Sequence, residues 1–144
     1  MNIADIRQGI ADKLAEIDNV RALTVWPNSP PWGSQTMLVL LPDDPYVQYP
    51  EGTGRPSKVD LYLRLVALPL NSMLPERVQA ELDELISVGS SELRSVRDKL
   101  AEDISAGGAA CAVWVTDVSV RSFRVGENDA VGAEFKLHVI ARGT

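Results

Sequence analysis

One histidine, one cysteine and a few carboxylate pairs are the side chains of this 144-residue sequence with which chemistry could begin. A nucleophilic triad needs an imidazole as base, and only His138 could supply it. It falls between Lys136 and Ile140 on the polar side of an alternating run, which reads as a partly exposed strand histidine. Zinc needs several His or Cys ligands at short spacings, and one of each does not make a site. Asp43 and Asp44 are adjacent, so on an extended chain they point to opposite sides, and no ladder of oxygen ligands follows them. They read as solvated turn acids. Gly52-Thr53-Gly54 lacks the strand, the spaced glycines and the Lys-Ser/Thr of a phosphate loop and reads as a flexible tip. Glu81, Asp83 and Glu84 flank an apolar helical stripe and read as its solubilising face rather than as an acid–base pair. The expectation is a protein with no catalytic residue, no metal and no cofactor, hence not an enzyme.

Charge narrows the partners. A formal charge of −6 and an isoelectric point near 4.7 argue against a surface that grips nucleic acid, since such binding is driven by Lys and Arg displacing phosphate counterions. Hydrophobic residues at 45% and charged residues at 24% fit a packed globular chain and exclude wholesale disorder. Its length suits one domain, expected over residues 1–144. The single cysteine, Cys111, forms no internal disulfide, which places folding in a reducing compartment. The start Met1-Asn2-Ile3-Ala4-Asp5-Ile6-Arg7 has no signal-peptide pattern, and no apolar run reaches the ~18 residues of a membrane span, so neither export by that route nor a membrane partner is expected.

These side chains must be positioned by an α+β fold. Ile3, Ile6, Ile10, Leu14 and Ile17 recur at helical spacing, with Asn2 as N-cap and Asp5 complementing the dipole. Val20–Trp26 reads as a short strand, and Thr36–Leu41, apolar on both faces, as an interior one. Pro42–Pro56 is too rich in proline and glycine for a regular element and reads as a long loop. Lys58–Leu68 alternates, with Val59, Leu61, Leu63, Leu65 and Ala67 on one face and Lys58, Asp60, Tyr62 and Arg64 on the other. Pro75–Val88 is a helix with Val78, Leu82, Leu85 and Ile86 as its stripe. A further helix follows, with Ser90 as candidate cap, the stripe Leu93, Val96, Leu100 and Ile104, and a possible Arg94–Asp98 surface pair. Cys111–Val125 and Ala130–Ala141 form a long hairpin around Gly126-Glu127-Asn128-Asp129. In its first arm Cys111, Val113 and Val115 give way to Val118 and Val120 and then to Phe123 and Val125. That phase slip implies a β-bulge, or a strand whose faces are buried by different partners along its length. The order α-β-β-β-α-α-β-β, with helices not alternating one-for-one with strands, points to a mixed or antiparallel sheet with amphipathic helices against it.

Aromatic residues are placed unusually. Trp26, Trp32, Tyr46 and Tyr49 lie in or beside proline-rich segments. Tyr and Trp in loops bury much area while freezing few torsions, which suits interface anchors; the other reading is that they cover the edge of their own core.

In layout the chain resembles the tail terminator proteins of long-tailed, siphovirus-type bacteriophages. The likeness spans the N-terminal helix Ile3–Ile17, the long intervening loop, the strand Val59–Leu68, the helical pair Pro75–Asp103 and the closing hairpin with Trp114-Val115-Thr116-Asp117-Val118 and Glu134-Phe135-Lys136-Leu137-His138-Val139. It implies a structural virion protein at the neck end of the tail, assembled in the host cytoplasm. That protein would form a homo-oligomeric ring, a hexamer, capping the tail tube. Its partners would be itself, the tail tube protein and the head–tail connector protein, with DNA passing through the channel without specific binding. A ring needs heterologous contacts between unlike patches. The candidate assembly-interface residues are Trp32, Tyr46 and Tyr49, with Glu127 and Asn128 at the hairpin tip. Two other readings suit the same sequence: another neck component, such as a tail-completion or head–tail joining protein, and a small cytoplasmic ligand-binding domain or enzyme subunit. The last would require polar residues converging in an apolar pocket.

Overall fold

The chain runs α1 (Ile3–Leu14), β1 (Val20–Leu23), β2 (Thr36–Gln48), β3 (Lys58–Leu68), α2 (Pro75–Ile86), α3 (Val96–Ala101), β4 (Ala112–Val125) and β5 (Asn128–Arg142). It is seen in a computed structural model that describes residues 2–28, 35–49, 58–70, 74–89, 94–102, 110 and 112–142. The strands form one sheet in the order β1-β2-β3-β5-β4, in which β1 and β2 are parallel and every other pair is antiparallel. The protein is therefore α+β, with the expected element order and the long C-terminal hairpin.

The alternation in β3 and β5 dictates the main core. Leu61, Leu63 and Leu65 of β3 and Phe135, Leu137 and Val139 of β5 face Ile6, Ile10 and Leu14 of α1, Leu82 and Leu85 of α2, and Val96 and Leu100 of α3. Each buried aliphatic side chain contributes roughly 1.5–3 kcal/mol, so this layer dominates stability. The start of β2 and the end of β3 are apolar on their other face too. There Met37, Val39, Val66, Leu68 and Leu70 form a second cluster, to which the distal hairpin brings Phe123, Val125 and Ala130. Just past the last β3–β5 pair, Ala67↔Ala133, the backbone of Gly132 lies so close to β3 that a β-carbon would meet the Ala67 carbonyl oxygen at 2.6 Å and Leu68 Cδ2 at 2.8 Å. Glycine is needed there for close approach.

The element ends have physical causes. Asn2 caps α1 by accepting from the Asp5 amide. The helix stops at Leu14 rather than Ile17, although Ile17 stays buried. β1 stops at Leu23 rather than Trp26. Its pairing ends at Leu23↔Val39, and beyond it the Arg7 guanidinium donates to the carbonyls of Thr24 and Leu40, groups a longer ladder would have used. The expected loop from Pro42 is corrected: β2 continues to Gln48, with its register against β3 shifting between Pro42 and Val47. A bulge accommodates Pro42 and Pro45 because its residues need not donate to a neighbouring strand. Residues 50–57 lie outside the described residues. α2 ends at Ile86, where both the amide and the hydroxyl of Ser87 donate to the Asp83 carbonyl. α3 is capped by Ser95, which accepts from the Asp98 amide; Ser90, Leu93 and Ile104 lie outside the described residues. The phase slip of β4 is a bulge, with the register against β5 shifting between Val115 and Asp117.

Two polar clasps hold the helices. Lys13 of α1 and Lys99 of α3 both pair with Glu102, at 3.1 and 3.2 Å. The second corrects the reading of Glu81 as solubilising and of Arg94 as partner to Asp98. Arg94 instead pairs with Glu81 and Glu84 of α2 and donates to the Asp18 carbonyl, while the buried Thr36 hydroxyl of β2 donates to Glu81. Only 15% of the Glu81 side chain is exposed. The Asp98 carboxylate accepts from the Gly89 amide, 2.7 Å away. Burial alone would raise the Glu81 pKa, but the hydrogen bonds from Arg94 and Thr36 outweigh it and hold the carboxyl below the ordinary carboxylate value.

Two outcomes are expected. Gly132→Ala should lower the unfolding free energy by about 2 kcal/mol in urea titration, since the contact is with backbone and cannot yield cheaply; an unchanged midpoint would mean that the hairpin does not approach β3 so closely. Because the folded-state pKa of Glu81 is lowered, its contribution is present above pH 4.5 and lost as pH falls through the lowered value. Glu81→Gln should therefore be less stable than wild type at neutral pH and show a shallower loss below pH 4.5. Equal slopes would contradict the clasp.

Candidate functional site

The face of the sheet opposite the helices is laid out in bands. At one end lies the second apolar cluster. A charged band follows: Glu134 bridges Arg64 at 3.3 Å and Arg121 at 3.1 Å, and Lys136 pairs with Asp43 at 3.4 Å. Asp43 is thus a strand residue with a cross-sheet partner rather than a turn acid, and it also accepts from the Asp44 amide. The Arg64 Nε donates to the Pro42 carbonyl, fixing the strand just before its bulge.

At the other end three adjacent strands place an aromatic row. Register sets Tyr62 of β3 opposite His138 of β5, and His138 opposite Trp114 of β4. The Tyr62 and His138 rings stack with centroids 4.7 Å apart and 9° between planes, and the Trp114 ring meets His138 edge-on at 4.6 Å. The His138 Nε2 lies 2.8 Å from Asp60 Oδ1; a carboxylate only accepts, so this nitrogen carries the hydrogen. The Tyr62 hydroxyl donates to Gln48 Oε1 at the end of β2. Four strands therefore contribute to one ordered cluster, and Trp114 keeps 39% of its surface exposed.

The Asp60–His138 contact has the form of the orienting half of a triad. Tyr62 stacks on one face of that imidazole and Trp114 meets it edge-on, so aromatic surface encloses the ring. The arrangement fits a rigid amphipathic contact surface, in which pre-ordered aromatics lose little rotamer freedom when a partner covers them. Among the described residues no group of three or more His, Cys, Asp or Glu is placed to hold a metal ion. His138 is partly exposed, as its position in the sequence suggested. Its partners were missed because Asp60, Tyr62 and Trp114 are brought to it by strand register, which sequence spacing does not state.

The residues expected to make contacts scatter. Tyr49 follows the end of β2 and is 68% exposed. Tyr46 is half-buried against the helix-side core, so its ring covers this chain's own interior and offers little free surface. Glu127 and Asn128 are exposed at the opposite end of the sheet, where Gly126 and Glu127 form a two-residue turn between the paired Val125 and Asn128. Gly126 has φ of 64°, and a positive φ at the first central position alone fits the type II′ turn favoured by hairpins. Trp32 lies outside the described residues. Trp26 is 36% exposed, beyond the end of β1. Neither protein-family models nor curated proteins match this chain.

A double-mutant cycle tests whether the row acts as a unit. Tyr62→Ala and His138→Ala should show a coupling of about 0.5–1.5 kcal/mol in unfolding free energy. Additivity within about 0.3 kcal/mol would show that the stack is incidental.

Proposed function

We propose that this chain is an assembly protein of the tail-terminator type: it forms a homo-oligomeric ring on the end of a phage tail tube, stops tube growth and presents its other side to the head-side connector. The observation that carries the proposal is the placement of the exposed candidate contacts. Tyr49 follows Gln48, which pairs with Asp60 and through it aligns with Ile140, near the end of β5. Glu127 and Asn128 lie where β5 begins. The strand between them is long enough to separate the two sites by about 40 Å at ~3.3 Å per residue. A subunit that meets tube on one side and connector on the other needs contacts at opposite ends of a stiff body, and a sheet backed by helices on one face and packed at the hairpin end on the other supplies one.

The net charge of −6 suits the same role. A ring around the genome's path must not trap DNA, and negative charge disfavours phosphate contact. Lateral contacts in the ring would be heterologous, joining unlike patches of neighbouring copies until the rotation closes.

The test uses purified tail-tube subunit under conditions where it polymerises. Added wild-type protein should cut mean tube length in proportion to its concentration. Tyr49→Ser and Glu127→Lys should fold normally, and each should lose a different contact, one to tube and one to connector. Tubes that grow to uncapped length in the presence of wild-type protein would refute the terminator reading. Binding to connector with no effect on tubes would assign the chain to head-side joining instead.

A further inference from the structure

Among the described residues no strand pairs with the outer edge of β4, although β4 spans 14 residues and β1, at the opposite edge, spans only 4. An edge of that length offers unpaired amides and carbonyls to another strand, and proteins ordinarily blunt such edges with proline, bulges or inward-pointing charge. β4 carries one bulge, at Val115–Asp117, and beyond it runs as regular strand to Val125 with no proline. Thr116, Asp117, Ser119, Val120, Arg121, Ser122 and Arg124 are all exposed, and Val120 is 46% exposed.

The segment Asp117–Arg121 is self-complementary when paired antiparallel about Ser119. In that register Ser119 faces its own copy, Val118 faces Val120, and Asp117 faces Arg121, each of the last two pairs occurring twice across the two-fold axis. Faces agree as well as partners. Asp117, Ser119 and Arg121 lie opposite Lys136, Glu134 and Gly132 on the helix-free side, whereas Val118 and Val120 lie opposite Phe135 and Ala133 of the helix-side core. Both members of every pair therefore stand on the same side of the combined sheet. Shifting the sum of paired positions by two, so that Ser119 faces Arg121 or Asp117, loses the charge match.

We propose that β4 is a homotypic interface: a second copy of this chain pairs antiparallel with it, centred on Ser119, to make a sheet continuous across a two-fold axis. Hydrogen bonds along about 17 Å of edge hold the pair, the doubled Val118–Val120 contact covers exposed apolar surface, and the two Asp117–Arg121 pairs set the register. Arg121 serves both roles from one position, since its guanidinium already reaches Glu134 on its inner side. This contact is isologous and so distinct from the heterologous contacts of a ring; it stands on the sheet edge alone, whether or not the chain caps tubes. Within a ring it would join two rings about the two-fold.

Charge reversal and cross-linking test the register. In sedimentation equilibrium, Asp117→Arg and Arg121→Asp should each weaken self-association by at least about tenfold, and the double reversal should restore it to near wild type. In a Cys111→Ser background, Ser119→Cys should form an intermolecular disulfide on mild oxidation, and Ser122→Cys should not. Circular dichroism of each variant verifies that it is folded. A monomeric wild type at high concentration, no rescue by the double reversal among folded variants, or equal cross-linking at positions 119 and 122 would overturn the proposal. Because these readouts need no tail tube, their failure is separate from failure of the terminator reading.

Discussion

The start of β2 and the end of β3 must be buried on both faces, and most of the architecture answers that demand. Met37 to Leu40 and Leu65 to Leu68 are unbroken apolar runs with almost no exposed surface. A half-buried sheet would leave one side of each run in water at roughly 25 cal/mol per Å². Helices cover one side along its length. The other side is closed at one end by the distal hairpin, whose Phe123, Val125 and Ala130 reach back over β3, and Gly132 permits the approach. The hairpin is thus part of the core as well as a projection from it.

This dual use sets what remains available for function. Because the hairpin covers only one end of the helix-free face, the remainder is finished with charges and then with the Tyr62, His138 and Trp114 row. The bulge at Val115–Asp117 keeps both halves of β4 in phase with the core: Val113 stays buried and Trp114 open before it, and Val118 packs on the helix side with Ser119 exposed after it. The extra residue lets one strand serve an aromatic cluster and a regular edge in succession. Polar clasps complete the helical layer. Arg94 ties α2 to the turn before β1, and Thr36 ties the start of β2 to α2.

Much of this fold was legible in the sequence because its signals are local and periodic. The i, i+3, i+4 spacing of Ile3, Ile6, Ile10 and Leu14 and the alternation of Val59 through Ala67 each specify an element without reference to the rest. Signals that needed a neighbour were not legible. Pro42 and Pro45 looked like loop residues because proline usually ends a strand, but a bulge opposite β3 tolerates both. Glu81 looked solvated because its helix stripe is elsewhere, and Arg94, thirteen positions later, is what draws it in. The aromatic row is a matter of register: Asp60, Tyr62, Trp114 and His138 are far apart in sequence and share a site only because β5 lies between β3 and β4. Tyr49 and Glu127, by contrast, are exposed where aromatic placement and turn chemistry put them.

The proposed function rests on exposed surfaces at the two ends of the sheet. Its central claim, that copies assemble as a ring on the end of a tube, is tested most directly by electron microscopy of tail tubes incubated with the purified protein, classified by the rotational symmetry of density at the tube ends. A closed ring of about six copies at one end, built by heterologous contacts, is the expected result. Bare tube ends, with the protein remaining dispersed in the background, would contradict it.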